Sequence, residues 1–349
     1  MQKKTFIRCG LFSCLLLTGA GRQPAAQDDP THLRVNVVLV ELNVAVTDNK
    51  GNYVTDLRPE DFEITEDKIP QKISTFEESA NSEPGSNEII RPGQINRAAS
   101  PSSAPDVEPR APDSGVIPIS HLSGASVFVL FDTSNYMYRN FVFAQDSITD
   151  FIRSMNETNK IAFYSYCRDL SRAIQLTTDR LQVVNAVRSS VAGDDAALYN
   201  SLLLTVKDAA PLKGRKAIVV FSNGPDNASS VPPEDVAELA QSTGTIIYIV
   251  STQKAQEDEV SVAAFERMSK VSGGKAYFAK NWREEKQAFA SIREDLVHLY
   301  TLSYYPQANP NRGWRSIKVR LVGRDLQKYH VRTRDGYRLT VQRSPNSQQ

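Results

Sequence analysis

The chain has 349 residues, 41 Lys+Arg against 40 Asp+Glu, and a formal net charge of +1. That balance excludes the basic footprint of a nucleic-acid binder, and 40% hydrophobic with 23% charged residues excludes wholesale disorder. The length suits two modest domains better than one large core.

Lys3, Lys4 and Arg8 precede a short apolar run, Leu11-Phe12-Ser13-Cys14-Leu15-Leu16-Leu17, followed by small residues at Ala20 and Ala25-Ala26. This is the pattern of an export signal over residues 1–26. The run is too short to cross a bilayer comfortably, and Arg22 and Gln23 follow it. Cleavage after Ala20 or Ala26 is therefore expected, leaving no integral membrane segment and a periplasmic or secreted protein. Removal of 1–26 takes away Lys3, Lys4, Arg8 and Arg22 and no acid, so the net charge of +1 becomes −3. Cys9 and Cys14 leave with the signal, Cys167 becomes the only thiol, and no internal disulfide can form. Cys167 reads as a small residue near the end of a buried strand. Bulky Phe12 and the apolar residues beyond Cys14 speak against a lipid-attachment site there.

Residues 33–78 read as a small β module. Val38, Val40, Leu42, Val44 and Val46 alternate onto one face, with Leu39, Glu41, Asn43, Ala45 and Thr47 on the other. A turn at Asp48-Asn49-Lys50-Gly51, a strand over 62–66, a turn at Asp67-Lys68 and a strand over 71–76 complete it. So short a module is marginal alone and should lean on another part of the chain. Residues 79–120 shift to Pro, Ser, Asn, Gly and Ala, the composition of a disordered linker without a core.

A second rhythm runs over 125–298. The apolar strand 126–131 ends in Asp132-Thr133-Ser134 and reads as buried on both faces. Helix 141–154, strand 160–165 and an antiparallel edge strand 169–175 follow. Then come helices 179–188, with Leu181, Val184 and Val187 on its inner side, and 198–209. Strand 216–221, helix 233–241, strand 245–250, helix 260–270, strand 276–278 and a helix carrying Phe289, Ile292, Leu296 and Leu299 complete the series. Strands alternating with helices predict an α/β fold, a doubly wound and mostly parallel sheet. The tail, 299–342, returns to β periodicity, with strands near 300–305, 316–321 and 329–333 and a turn at Arg334-Asp335-Gly336. It either packs beside the α/β domain or completes the small module.

The sharpest chemical feature is Asp132-Thr133-Ser134, because open α/β sheets bind ligands at the carboxyl ends of their strands. Three uses compete for Asp132: metal ligand, covalent nucleophile, or a carboxylate that caps local backbone N–H groups. The order of pieces resembles the von Willebrand factor type A domain, and more narrowly an exported bacterial, acidobacterial-type family built on it. The stretches 42–48, 61–67 and 71–73, together with Tyr304-Tyr305-Pro306 and Gly336-Tyr337, are similar to that family's flanking β regions. The resemblance implies a metal-ion-dependent adhesion site, in which Asp-x-Ser-x-Ser, a loop Thr and a later Asp-Gly supply hard oxygen ligands to Mg²⁺. Asp132 and Ser134 match that pattern. Tyr136 stands where the second Ser is expected, Ala196 where the Thr is expected, and Asn223 where the Asp is expected. The departures imply a degenerate site with no cofactor, or weak Mg²⁺ at most. Asp194, Asp195 and Asp226 in neighbouring loops offer a different, weaker oxygen cluster or a solvated acidic surface.

The expected function is an exported adhesion or scaffold module for an unidentified protein partner, with Tyr136 and Tyr138 as protein-binding candidates. Phe141 and Phe143 either extend that patch or cap the core. The alternative is a metal-assisted hydrolase or phosphotransfer enzyme using Asp132. It lacks company: Thr133 and Ser134 supply neither a second carboxylate nor a cation, and His32, His121, His298 and His330 are dispersed. Asp132-Thr133-Ser134-Asn135 stands in place of the glycine-rich turn that lets phosphate approach the backbone, which argues against a dinucleotide site.

Overall fold

The computed structural model describes residues 39–79, 124–252, 255 and 257–339. The export signal, the first residues of the β module and residues 80–120 of the linker lie outside the described residues.

The α/β sheet is organised by β5, Ser126–Asp132, which is buried along nearly its whole length. It lies between β6, Lys160–Tyr166, and β8, Lys216–Ser222, and is parallel to both. With β7 (Leu170–Thr177), β9 (Ile246–Thr252) and β10 (Ala276–Ala279) the sheet order is β10-β9-β8-β5-β6-β7, and only β7 is antiparallel. Alternation along β5 explains the two layers of helices. Val127, Val129 and Phe131 pack toward α1 (Phe141–Ser154), α2 (Arg180–Arg188) and α6 (Trp282–Val297). Phe128 and Leu130 pack toward α3 (Leu198–Ala209), α4 (Pro233–Thr243) and α5 (Glu259–Ser272). Gly273, in the left-handed region, ends α5, and an added Cβ on Gly274 would sit 1.9 Å from the Ile247 carbonyl oxygen. The Gly-Gly pair therefore both stops the helix and lets the chain run close against β9.

The remaining strands form two four-stranded sheets. One has the order β13-β1-β11-β4, built from β1 (Val40–Thr47), β4 (Ile73–Glu78), β11 (Tyr300–Tyr304) and β13 (His330–Arg332). The other has the order β14-β12-β2-β3, built from β2 (Phe62–Glu66), β3 (Ile69–Gln71), β12 (Trp314–Leu321) and β14 (Gly336–Arg338). Both sheets mix strands from the N-terminal segment and the tail. Val40, Leu42, Val44 and Val46 meet Phe62, Ile64, Tyr300, Leu302, Ile317 and Val319 in one apolar cluster. The tail thus completes the small module, which resolves its shortage of core.

Several local expectations change. The strand expected over 71–76 is two strands in different sheets: Gln71 pairs with Ile64 of β2, whereas Ile73 pairs with Tyr304 of β11. The turn expected over 334–336 gives way at Gly336 to a short β strand over 336–338, paired with β12, in the stretch where the resemblance places a flanking β region. On α2 the inner residues are Val183, Val184 and Val187, while Leu181 is 68% exposed. Ala45, expected on the outer face of β1, is buried because that face packs against the α/β core.

The two parts of the molecule are joined by a buried ionic knot. Asp295 of α6 takes two hydrogen bonds from the Arg332 guanidinium on β13 and one each from the hydroxyls of Tyr53 and Tyr248, both 2.6 Å. Arg334, buried, donates to the carbonyls of Gln241 and Ser242 at the end of α4 and of Glu41 on β1.

Candidate functional site

The loops that follow β5 and β8 meet at the carboxyl edge of the sheet, together with the loop before α3. The Gly193 N–H donates to the Thr133 carbonyl at 2.7 Å, and the Asn135 N–H to the Asp194 carbonyl at 2.8 Å. The Asn223 Nδ2 donates to the Tyr136 carbonyl at 2.6 Å. Asp132, Ser134, Tyr136, Ala196 and Asn223 therefore belong to loops tied at one place, as the resemblance implies.

Asp132 is fully buried, and both of its oxygens are occupied. Oδ1 accepts from the Ser134 N–H at 2.9 Å, and Oδ2 accepts from the Ser222 hydroxyl at 2.8 Å. The Tyr166 hydroxyl donates in turn to Ser222 Oγ at 3.1 Å, which also accepts from the Gly224 N–H at 3.2 Å. Burial pushes the Asp132 carboxyl above its ordinary range, against the opposing pull of Ser134, Ser222 and Tyr166. Burial and the adjacent Asp132 hold the Tyr166 phenol well above its ordinary range, so it stays protonated as a donor. Of the three uses open to Asp132, the geometry is that of a carboxylate anchoring local backbone and hydroxyl groups. Ser134 Oγ lies close enough to favour the ionised form of Asp132, yet it is buried and makes no hydrogen bond of ordinary geometry among the described residues.

Asn223 is also spent. Besides its bond to Tyr136, its Oδ1 accepts from the Thr252 hydroxyl on β9. Its carboxamide thus spans from the loop after β5 to β9, a link that a carboxylate, having no donor, would not make when ionised. Ala196 presents only a methyl group. Its N–H donates to Asn227 Oδ1 at 2.8 Å, and its carbonyl accepts from Asn227 and Ala228. Asp195 faces Arg168, and Asp226 accepts from the N–H groups of Tyr199, Ala228 and Ser229. These acids serve loop structure, and among the described residues no group of three or more His, Cys, Asp or Glu is placed to hold a metal ion. A Mg²⁺ ion needs several hard oxygens converging on near-octahedral positions. With Asp132 and Asn223 engaged internally and a methyl at Ala196, the residues do not fit the ion that the resemblance implies.

The segment that follows Asp132 carries exposed apolar side chains beside exposed Asn135 and Arg139. Tyr138 is 57%, Val142 62% and Phe143 60% exposed. Tyr136 is only partly exposed. Phe141 packs on Phe131 with ring centroids 5.3 Å apart, so of the two phenylalanines Phe141 caps the core and Phe143 faces outward. The sequence reading missed Ser222, Tyr166 and Thr252 as partners of the site. Their only signal was position, at or near the carboxyl ends of β8, β6 and β9.

Residues 126–291 match the family model of the von Willebrand factor type A domain. The chain contains a von Willebrand factor type A domain. No curated protein sequence matches the chain. Among solved structures, the chain is similar to the conserved hypothetical protein BatB from Bacteroides thetaiotaomicron. The identity is 15% and the TM-score 0.43, over 50% of this chain and 97% of that one. It is also similar to the vWF domain of the type V pili tip protein Mfa5 from Porphyromonas gingivalis, at 12% identity and a TM-score of 0.41, over 49% and 94% of the two chains. A von Willebrand factor type A structure from Catenulispora acidiphila matches at 11% identity and a TM-score of 0.44, over 61% and 66%.

Proposed function

We propose that this chain is an exported, non-catalytic protein-binding module of the acidobacterial-type von Willebrand factor A family, one that engages its partner without a tightly held cation. The observation that carries the reading is the contrast between Asp132 and the segment that follows it. Asp132 is sealed and internally satisfied, while Tyr138, Val142 and Phe143, six to eleven residues further along the chain, stand exposed. Exposed aromatics offer large contact area at low side-chain entropy, which suits a protein interface. Of the two tyrosines expected from the sequence to bind, Tyr138 is the better placed for contact. The export signal at 1–26 puts the module in the periplasm or outside the cell. The hydrolase alternative draws less support, because a nucleophilic carboxylate must reach its substrate and Asp132 has no exposed surface.

The test is affinity capture from native envelope material with the mature chain, in Mg²⁺ and in chelator, beside a Tyr138→Ala, Phe143→Ala variant checked for folding by circular dichroism. Capture of a specific protein that survives chelation and falls at least tenfold in the variant is expected. Capture that needs Mg²⁺, or that the variant leaves unchanged, refutes the reading.

A further inference from the structure

A second concave site lies away from the carboxyl edge of the sheet, between α6, the start of β10 and the Asp48–Tyr53 turn. It is a cleft of about 550 Å³, lined among others by Tyr53, Lys275, Tyr277, Gln287, Ser291 and His298. That volume falls within the roughly 300–1,000 Å³ of small-molecule sites. One wall is stiff: the Tyr53 ring stacks on His298 with centroids 5.0 Å apart and planes 9° from parallel, and its hydroxyl is held by Asp295.

Among the described residues, Lys275 is a cation of the cleft lining that makes no ion pair. Asp295 is committed to Arg332 and two tyrosine hydroxyls, and Glu294 to Arg293 at 2.6 Å. Lys275 is partly buried, lies 5.7 Å from the Tyr53 ring centroid, and forms no ion pair among the described residues. Burial lowers its pKa, while Asp295 opposes that shift and Arg332 adds to it. A partly desolvated ammonium facing an aromatic-walled cleft is a recognition element for a compact anion. The Tyr277 hydroxyl is buried with no hydrogen-bond partner among the described residues, a second deficit in the same wall. Gln287 and Ser291 add neutral hydrogen-bonding groups.

We propose that this cleft binds a small organic carboxylate with a flat apolar body, its charge held by Lys275 and its body lying along Tyr53 and Tyr277. A single ammonium matches one negative charge, and the Glu294 carboxylate in the lining disfavours a dianion. This site is separate from the adhesive edge, and its fate does not depend on that reading.

Titration calorimetry of the mature chain with benzoate tests it, with benzamide as the neutral isostere and a Lys275→Met variant that keeps the apolar stem. Expected are saturable 1:1 binding of benzoate, at least tenfold weaker binding of benzamide, and at least a tenfold loss for benzoate in the variant. Absence of saturable benzoate binding overturns the proposal, as does equal binding of the two probes. The comparison of probes on the unaltered chain stands even where the variant fails to fold. In a folded variant, unchanged benzoate affinity also overturns it.

Discussion

Replacing Asn223 by Asp restores the residue type that the resemblance expects, so it probes whether this site works through a cation or through its own hydrogen bonds. Asn223 is 2% exposed, and its Nδ2 donates to the Tyr136 carbonyl at 2.6 Å. An ionised carboxylate has no donor to offer, so the substitution removes a hydrogen bond worth about 1 kcal/mol. It also sets a buried acceptor against another acceptor, which costs a further ~1–3 kcal/mol. The total is roughly 2–4 kcal/mol. At about 2–4 °C per kcal/mol for a domain of this size, the thermal midpoint of Asn223→Asp should fall by roughly 5–15 °C at pH 8. Burial near Asp132 raises the pKa of the new carboxyl in the folded state. Its protonated form, which can donate to Tyr136 as the amide does, is present at low pH and lost as pH rises through the folded pKa. The deficit relative to the unaltered chain should therefore shrink at pH 5. Thermal unfolding by circular dichroism at pH 5 and pH 8 measures it. An unchanged midpoint, or a deficit that is the same at both pH values, refutes the hydrogen-bonded latch.

Titration calorimetry with Mg²⁺ and Mn²⁺ should show no binding tighter than millimolar, and saturable binding that Asp132→Ala abolishes would overturn the metal-independent reading. Because burial raises the Asp132 pKa in the folded chain, its contribution is fully present below the unfolded value near 4 and is lost as pH rises through the folded value. Denaturant unfolding from pH 4 to pH 8 should accordingly show Asp132→Asn gaining stability relative to the unaltered chain as pH rises, and a parallel pair of curves would contradict it. Arg332→Met strands the wholly buried Asp295 carboxylate, so a loss of about 3–5 kcal/mol is expected in urea melts. Much of that loss should return in the double variant Asp295→Asn, Arg332→Met. If the single variant is nearly neutral, the ionic knot does not hold the parts together.

Much of the fold was legible because periodicity is local. Helix 141–154 and strand 62–66 have the bounds their patterns implied, and the two-sided burial of β5 follows from an unbroken run of apolar residues closed by Asp132. The convergence of Asp132, Asn223 and the 193–197 loop was legible too, since strand ends in a parallel sheet share an edge. What the side chains do there was not. Whether Phe141 or Phe143 turns inward depends on the helical phase against Phe131, and the use of Asn223 depends on the height of the Tyr136 carbonyl above the sheet.

The amino-acid sequence alone determined the alternation of strands and helices, the loss of hard oxygen ligands at Ala196, and the charge balance, because each is a property of residue type and short-range spacing. Only the tertiary structure decided that the tail interleaves with the N-terminal strands, that Asp132 is sealed and bonded to Ser222, and that Lys275 lines a cleft with no ion-pair partner among the described residues. Those features arise from contacts between residues far apart in the chain, such as Tyr304 with Val40 and Arg332 with Asp295, whose partners no local pattern names.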